Sequence, residues 1–511
     1  MKYLLLLLAL VSAIFAPSAA QKEALKIEKG PLLVLIRSPH KNLNKMYPGN
    51  FAACLKNHLD YWLWSKGWDC TIRETGKKPK WNSLPDTLKN GAYKYILYLD
   101  TKPKFDLVKT ASENVKEGKI EGPSIRLILK MQLSLIDPGN GQILIDGRQF
   151  QVESLKNWIN DSLVPDSARL SEPPDFAIKR LLSDALALLP SFPRTALDSS
   201  DGIPIHLVVD SRIYNDIHHG GDSSLITALD YASFQFRRQF GIGLKMVSKD
   251  FFTIPEVSFS DIENLFRSFA KKYPSPGDTL MVGVFRPDNP MDFYRQGQNL
   301  QIGSSELGRK AALVAQLEMP DSNFSGWGVF LNSQLLLHEI GHLLGAVHVS
   351  DVVSIMTRRT AWVSSFRFDK LNSFMIRAGL ADKSRFAGVN EYLVSLAAAI
   401  DSTGYRLSDY PAIYFSYINL NRKELIGASF GNSAFSQSLT YAVDGYRQYL
   451  LKNSLSAGEF FHLALKGAGD QGAIHYYLSR VSDGDQSRRE LKLAAEIGYF
   501  DAVSKLVSFW K

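Results

Sequence analysis

Cysteine is scarce in this sequence, with two residues among 511. A fold held together by many disulfide bonds is therefore excluded, because such folds need several cysteine pairs. Cys54 and Cys70 are predicted to lie on a helix and on the strand that follows it, with their Cα atoms farther apart than the ~7 Å that a disulfide bond can span. Two thiols are slightly favoured over a bridge, and a later start of the helix would favour the bridge instead.

Long apolar runs are also missing. The N-terminal run Leu4–Phe15 has about twelve residues, whereas a helix that spans a bilayer needs ~20, and no later stretch reaches that length without charges. Lys2 before the run and small residues at Pro17–Ala20 after it predict an export signal at residues 1–20. We expect an exported protein, periplasmic or secreted, without a transmembrane segment. An uncleaved membrane anchor is the alternative.

Charge of one sign is in slight excess only. Lys and Arg number 59 against 51 Asp and Glu, a net charge of +8, and no basic run is interleaved with aromatic residues. Nucleic-acid binding is therefore not expected. With 36 Gly, 22 Pro and 45% hydrophobic residues, the composition excludes collagen-like and wholly disordered chains and is typical of a globular protein of several domains.

Residues 21–190 are predicted to form a small α+β domain. Strands are expected at Pro31–Ile36, Tyr93–Asp100 and Ser124–Ile136, and a turn-rich segment makes Gln142–Gln151 the second arm of a hairpin. The sequence of this domain gathers no His, Cys or carboxylate residues into a recognisable chemical pattern. Its role as a binding, docking or pro-domain stays open.

The rest of the chain divides into two further regions after a linker at residues 191–203, which is rich in helix breakers. In residues 204–385, predicted strands alternate with helices, which favours a mostly parallel sheet. Residues 386–511 are predicted to be all helical. A short pattern repeated at Gly469–Ala473 and Gly498–Ala502 resembles tetratricopeptide-type repeats, which bind partner proteins. A plain helical bundle is the alternative.

One segment of the central region carries the chemistry: His338-Glu339-x-x-His342-x-x-Gly345-x-x-His348. On a helix, His338 and His342 lie one turn apart on the same face. Gly345 can adopt a left-handed conformation that ends the helix and lets His348 return as a third ligand. Three neutral imidazoles suit a tetrahedral Zn²⁺ ion with one open position. Histidines satisfied within the core are the alternative.

This motif, followed by Ser354-Ile355-Met356, resembles that of the metzincin metallopeptidases. Met356 lies eight residues after His348, the spacing of matrixins and archaemetzincins, whereas Val349 matches no subfamily label. The resemblance covers Pro204–Leu380. It implies a metzincin-like α/β zinc-peptidase domain with an active-site helix, and Met356 as an apolar floor beneath the ligands.

The resemblance also implies roles at the site. One Zn²⁺ ion would be held by the three histidines, with Glu339 as general base. The segment Ala311–Glu318, which includes Ala315, would be an exposed edge strand onto which an extended peptide adds; an interior strand is the alternative. Arg358 and Trp362, in the loop after the turn, would line the pocket beyond the cut, unless they form a solvated surface.

The leading hypothesis is therefore an exported zinc-dependent endopeptidase that acts on protein or peptide substrates. Its architecture is predicted to be multidomain α+β, with helices at the C-terminus that recruit a protein partner. Two alternatives remain: a catalytically inactive scaffold protein that works through its helical C-terminal region, and a zinc amidase that acts on cell-wall peptides.

Overall fold

The structure of the protein is a computed structural model. It describes residues 27–37, 51–76, 92–108, 124–157, 174–194, 202–214, 221–253, 262–275, 277–287, 303–306, 310–317, 325–349, 354–357, 365–381, 389–403, 434–468, 472–496 and 502. Each of its two compact units contains one mixed β-sheet, and the second unit also contains every helix after that sheet. The predicted export signal and residues 195–201 of the predicted linker (191–203) lie outside the described residues.

The first unit is built on a five-stranded sheet of order β2-β1-β3-β4-β5. Strand β1 pairs in parallel with β2 and β3, and β4 pairs antiparallel with β3 and β5. The elements of this unit are β1 Leu32–Arg37, the part of α1 (Phe51–Ser65) from His58 onwards, β2 Cys70–Glu74, β3 Tyr95–Val108, β4 Ser124–Asp137, β5 Gln142–Asn157 and α2 Pro174–Leu186.

Apolar spacing explains these elements. Helix α1 buries Leu55, Leu59 and Leu63 completely, at the four-residue spacing of one helix face. In the sheet, Leu33 and Leu35 of β1 pack with Ile96 and Tyr98 of β3. The Cys70 side chain carries a thiol, whose Sγ lies 3.7 Å from Asp60 Oδ1.

The second unit contains a five-stranded sheet of order β7-β6-β8-β10-β9. Strands β7, β6, β8 and β10 run parallel, as the alternation of strands and helices predicts, and β9 pairs antiparallel with β10. The elements up to the end of this sheet are β6 Gly202–Asp210, α3 Ser211–Tyr214, α4 Gly221–Phe240, β7 Gly243–Phe252, α5 Ile262–Lys272, β8 Leu280–Phe285, β9 Gly303–Glu306 and β10 Ala311–Ala315.

Strands β8 and β10 are continuous apolar runs, as expected for strands covered on both faces. All residues of β8 and β10 are buried. Gly283 in β8 allows a close approach, since a Cβ atom there would lie 2.7 Å from Leu313 and from Phe269 of α5. The long helix α6, Ser325–Leu343, follows the sheet and packs against α4.

The predicted exposed edge at Ala311–Glu318 is wrong. Strand β10 has β8 on one side and β9 on the other, and the Ala315 side chain is 1% exposed. The interior alternative is confirmed. The edge strand on this side of the sheet is β9, whose short polar sequence, Gly303–Glu306, lacks the branched and aromatic residues typical of strands.

Six helices follow α6 among the described residues. They are α7 Lys370–Ala381, α8 Val389–Thr403, α9 Ala434–Leu450, α10 Ser454–Ala468, α11 Gly472–Val481 and α12 Gly484–Glu496. Successive helices pack in pairs, α9 with α10 and α11 with α12. The repeated glycine-containing pattern lies largely outside the described residues, so tetratricopeptide-type repeats remain a prediction. No helix of the described part is long and apolar enough to cross a membrane.

Candidate metal centre

Helix α6 presents the first two histidines from a buried element. Leu335, Leu336 and Leu337 are at most 3% exposed, so the helix is anchored by apolar side chains around most of its circumference. The helix ends at Leu343. Gly345 follows with a φ of 90°, a left-handed conformation that glycine adopts readily.

Two hydrogen bonds close this helix end and reverse the chain. Gly345 N donates to His342 O at 3.0 Å, and Ala346 N donates to Gly341 O at 2.9 Å. This pair is the Schellman motif, which satisfies carbonyl groups that the helix leaves without partners. The turn carries His348 back towards the helix, as the motif predicts.

The three imidazoles converge through their Nε2 atoms. The distances are 3.2 Å from His338 to His342, 3.2 Å from His338 to His348, and 3.1 Å from His342 to His348. A tetrahedral zinc ion with bonds of ~2.0–2.1 Å to nitrogen holds its ligand atoms roughly 3.3 Å apart. The spacing therefore suits one small ion bound by all three atoms and lying to one side of their plane.

The second ring nitrogen of two histidines fixes which atom faces the centre. His338 Nδ1 donates to Ile355 O at 2.7 Å, and His342 Nδ1 donates to Ala346 O at 2.9 Å. In the neutral rings, both Nε2 atoms then carry lone pairs instead of protons. Their short contact is not a hydrogen bond. The facing lone pairs repel each other, and a cation between them would relieve the repulsion.

Burial favours the neutral, ligating form of His338. Its side chain is 4% exposed, and this burial lowers its pKa to about 3, with a further lowering by His342 and an opposing hydrogen bond to Ile355 O. A metal ligand must be deprotonated at its donor atom. The His338 ring meets this requirement across the physiological pH range.

Glu339 lies beside the ligands under the edge strand β9. Its side chain is 6% exposed, and burial raises the pKa of its carboxyl to about 7, against a hydrogen bond from the Ser305 side chain that lowers it. A Cβ atom at Gly303 would overlap Glu339 Oε1. Gly303 and Ser305, two residues apart on one face of β9, therefore form the wall that Glu339 packs against.

Met356 lies beneath the helix that carries the ligands. It is fully buried, and a Cβ atom added to Gly341 would lie 2.9 Å from its Sδ atom. Val349, the residue after the third histidine, donates from its N to Met356 O at 3.0 Å. The missing side chain of Gly341 thus leaves the space that Met356 occupies.

The structure brings together most of the predicted site. The three histidines, Glu339, Gly345 and Met356 lie at one place, whereas Ala315 is enclosed in the sheet. Arg358 and Trp362 lie outside the described residues. The sequence interpretation missed the contact of β9 with Glu339 and a buried polar pair, Asp369 and Asn372, which binds Ser354 and Val347 on either side of His348. The signal for the pair was present in Asp369-x-x-Asn372, which places a helix N-cap next to a buried amide.

Comparison with known proteins gives matches among solved structures only. No protein-family model matches this sequence, and no curated protein matches it. An archaemetzincin from Methanopyrus kandleri aligns with 37% of this chain and 99% of its own, at 18% identity and a TM-score of 0.27. A zinc-dependent peptidase from Methanocorpusculum labreanum aligns with 34% of this chain and 99% of its own, at 13% identity and a TM-score of 0.24.

A third solved structure aligns with a longer part of the chain. Metalloproteinase-II from Bacteroides fragilis covers 57% of this chain and 93% of its own, at 13% identity and a TM-score of 0.24. All three are structures to which this chain is similar at low identity. The function proposed below rests on the geometry of the site itself.

Proposed function

We propose that this protein is an exported zinc-dependent endopeptidase. The observation that carries the proposal is the convergence of three histidine Nε2 atoms within 3.2 Å of one another, with the carboxylate of the neighbouring residue, Glu339, beside them. Two of the three rings are held in the tautomer that a metal needs. Histidine nitrogen in a three-ligand set is the chemistry of a catalytic zinc site.

Each of the protein groups has a role in peptide hydrolysis. When bound, one zinc ion would supply a Lewis acid that polarises a carbonyl group and activates a water. Glu339 would take a proton from the attacking water and return it to the leaving amine. Met356 would support the ligands from below through shape alone, because its thioether neither gives nor takes a proton.

The substrate is proposed to lie along β9. This strand is the edge of the sheet on the side of the site, and its residues Gly303 and Ser305 pack against Glu339. An extended peptide added to a sheet edge binds through its main chain, which suits an enzyme that cleaves many sequences. A peptide on β9 would place its carbonyl groups next to the proposed general base.

The first experiment measures the zinc content of the purified chain, together with the cleavage of casein with and without a chelator. We expect one zinc ion per chain and cleavage that the chelator abolishes. In Glu339→Gln, zinc should remain bound while the cleavage rate falls by about 10²–10⁴-fold, the usual contribution of a general base. Glu391→Gln, at an exposed position on α8, is the matched control and should cleave like the unaltered protein.

The other outcomes separate the alternatives. Zinc without cleavage of casein, but with cleavage of peptidoglycan peptides, would favour the amidase. If the protein cleaved neither substrate and Glu339→Gln changed no measured property, a scaffold protein that works through its C-terminal helices would be favoured. A chain that binds no zinc would contradict the proposal.

A further inference from the structure

We propose that Asp369 and Asn372 form one positioning unit that orients all three imidazoles of the metal centre. Asp369 directly precedes α7 and Asn372 lies in its first turn, outside the segment that carries the histidines. Their side chains are almost fully buried, with 4% of Asp369 and 0% of Asn372 exposed. The inference rests on the proposed zinc site and extends it to residues that bind no metal themselves.

Asn372 holds the segment that carries the third ligand. Val347 N donates to Asn372 Oδ1 at 2.7 Å, and Asn372 Nδ2 donates to Val347 O at 3.0 Å. The amide thus binds both main-chain groups of the residue just before His348. The residue on the other side, Ala346, provides the carbonyl that orients His342. One side chain therefore fixes the backbone on which two ligands depend.

Asp369 connects the hydrogen bonds between Asn372 and Val347 to the first ligand, His338. Its Oδ2 atom accepts hydrogen bonds from Asn372 Nδ2 at 2.6 Å and from Ser354 Oγ at 2.7 Å. Ser354 Oγ in turn accepts a hydrogen bond from Met356 N at 3.1 Å. The residue between them, Ile355, provides the carbonyl that orients His338. The carboxylate therefore sets the turn that orients the first imidazole.

Asp369 also anchors the pair to the fold. Its Oδ1 atom accepts a hydrogen bond from Asn372 N at 3.0 Å, the geometry of a residue that caps the N-terminus of a helix. Because Oδ1 forms the cap, the other carboxylate oxygen, Oδ2, is available to accept the hydrogen bonds from Ser354 and from the side-chain amide of Asn372. Because the two side chains are buried and bound to each other, a change in one moves the supports of all three ligands.

Groups that orient metal ligands typically contribute 10–100-fold to metal affinity. A role limited to folding would instead lower the stability of the zinc-free protein without a specific effect on zinc. The chain offers a matched control for this distinction. Asn332 binds Leu317 in the same way, accepting from Leu317 N at 2.9 Å and donating to Leu317 O at 3.1 Å, and it is 6% exposed.

The test compares Asn372→Ala with Asn332→Ala in the full chain. Zinc affinity is measured by competition with a chromogenic chelator, and stability by thermal unfolding of the zinc-free protein. Both variants should lose stability, because each removes a buried pair of hydrogen bonds between an amide side chain and the main chain. Only Asn372→Ala should weaken zinc binding, by about 10–100-fold. Equal zinc affinities of the two variants would overturn the inference.

A milder variant covers the case in which Asn372→Ala does not fold. Ser354→Ala removes one hydrogen bond of the unit and should weaken zinc binding by several-fold, with little change in the unfolding temperature of the zinc-free protein. An unchanged zinc affinity in Ser354→Ala would overturn the inference while leaving the proposed function intact. A wild-type chain without zinc affinity would contradict both.

Discussion

At the residue scale, the packing of β9 against Glu339 requires glycine at position 303. A methyl group at Gly303 would overlap Glu339 Oε1 and would displace the carboxylate from its place beside the ligands. We therefore expect Gly303→Ala to lower the rate of peptide cleavage by at least tenfold while zinc stays bound. Cleavage is measured on a fluorogenic peptide, and zinc by metal analysis.

Gly76→Ala is the control for this prediction. No atom of the other described residues lies within 4 Å of a Cβ added to Gly76, and its φ is not positive, so its replacement should leave cleavage unchanged. If Gly303→Ala cleaves as fast as Gly76→Ala, the position of Glu339 does not depend on β9.

Two neighbouring side chains give opposite pH dependences to the stability of the zinc-free protein. The pKa of His338 falls from 6.5 to about 3 on folding, so between these values the unfolded state binds the extra proton and stability falls as the pH falls. The pKa of Glu339 rises from 4.5 to about 7, so there the folded state binds the extra proton and stability falls as the pH rises. The two contributions oppose each other over the range they share.

Removal of one of these two side chains should reveal how the other alone makes the free energy of unfolding depend on pH. In Glu339→Gln, we expect the free energy of unfolding to decrease more steeply than in the wild type as the pH falls from 6.5 to 4.5, the range in which both side chains contribute. His338→Gln should change the slope in the opposite direction. Urea unfolding at a series of pH values, with chelator present, measures all three. If the free energy of unfolding had the same dependence on pH in all three proteins, the shifted pKa values of His338 and Glu339 would be contradicted.

At the element scale, the end of α6 determines where the third ligand lies. Gly345 has a φ of 90°, and a side chain in that region of backbone conformation costs about 1–2 kcal/mol. We expect Gly345→Ala to lower the free energy of unfolding by this amount and also to weaken zinc binding, because the turn carries His348. Urea unfolding and chelator competition measure the two effects.

Gly241 provides the same backbone conformation without a ligand. It follows α4 with a φ of 80°, and within the part of the chain that the structure describes an added Cβ would have no other atom within 4 Å. Gly241→Ala should therefore lose similar stability and keep its zinc affinity. A loss of zinc affinity in both variants would mean that the affinity follows overall stability instead of the position of His348.

Elements with strong local patterns could be predicted from sequence, and those fixed by distant contacts could not. The strands β8 and β10 are apolar runs bounded by breakers, and the two histidines on α6 follow helical spacing. Strand β9 was missed because its four residues are polar and small, so that only pairing with β10 makes them a strand. The same limit applies to Asp369, because its contact with Ser354 joins residues 15 positions apart.

At the scale of the whole molecule, the cluster of potential metal ligands found among the described residues lies in one of the two units. Among the described residues, His338, His342 and His348 form the single group of three or more potential metal ligands that converge. All three belong to the second unit, whereas the described part of the first unit has an apolar core between β1 and β3 and no such group. Zinc should therefore stabilise one unit selectively.

We expect this difference to appear in calorimetry of the full chain. A ligand that binds the folded state alone adds stability that grows with its concentration, about 2.7 kcal/mol at 100 times the dissociation constant. With zinc in such excess, the transition of the second unit should move to higher temperature relative to its position with chelator, while that of the first unit stays in place. In His342→Ala, which removes one ligand, zinc should move neither transition by a comparable amount. If zinc moved both transitions of the wild type equally, stabilisation would extend through the whole chain and the two units would unfold as one.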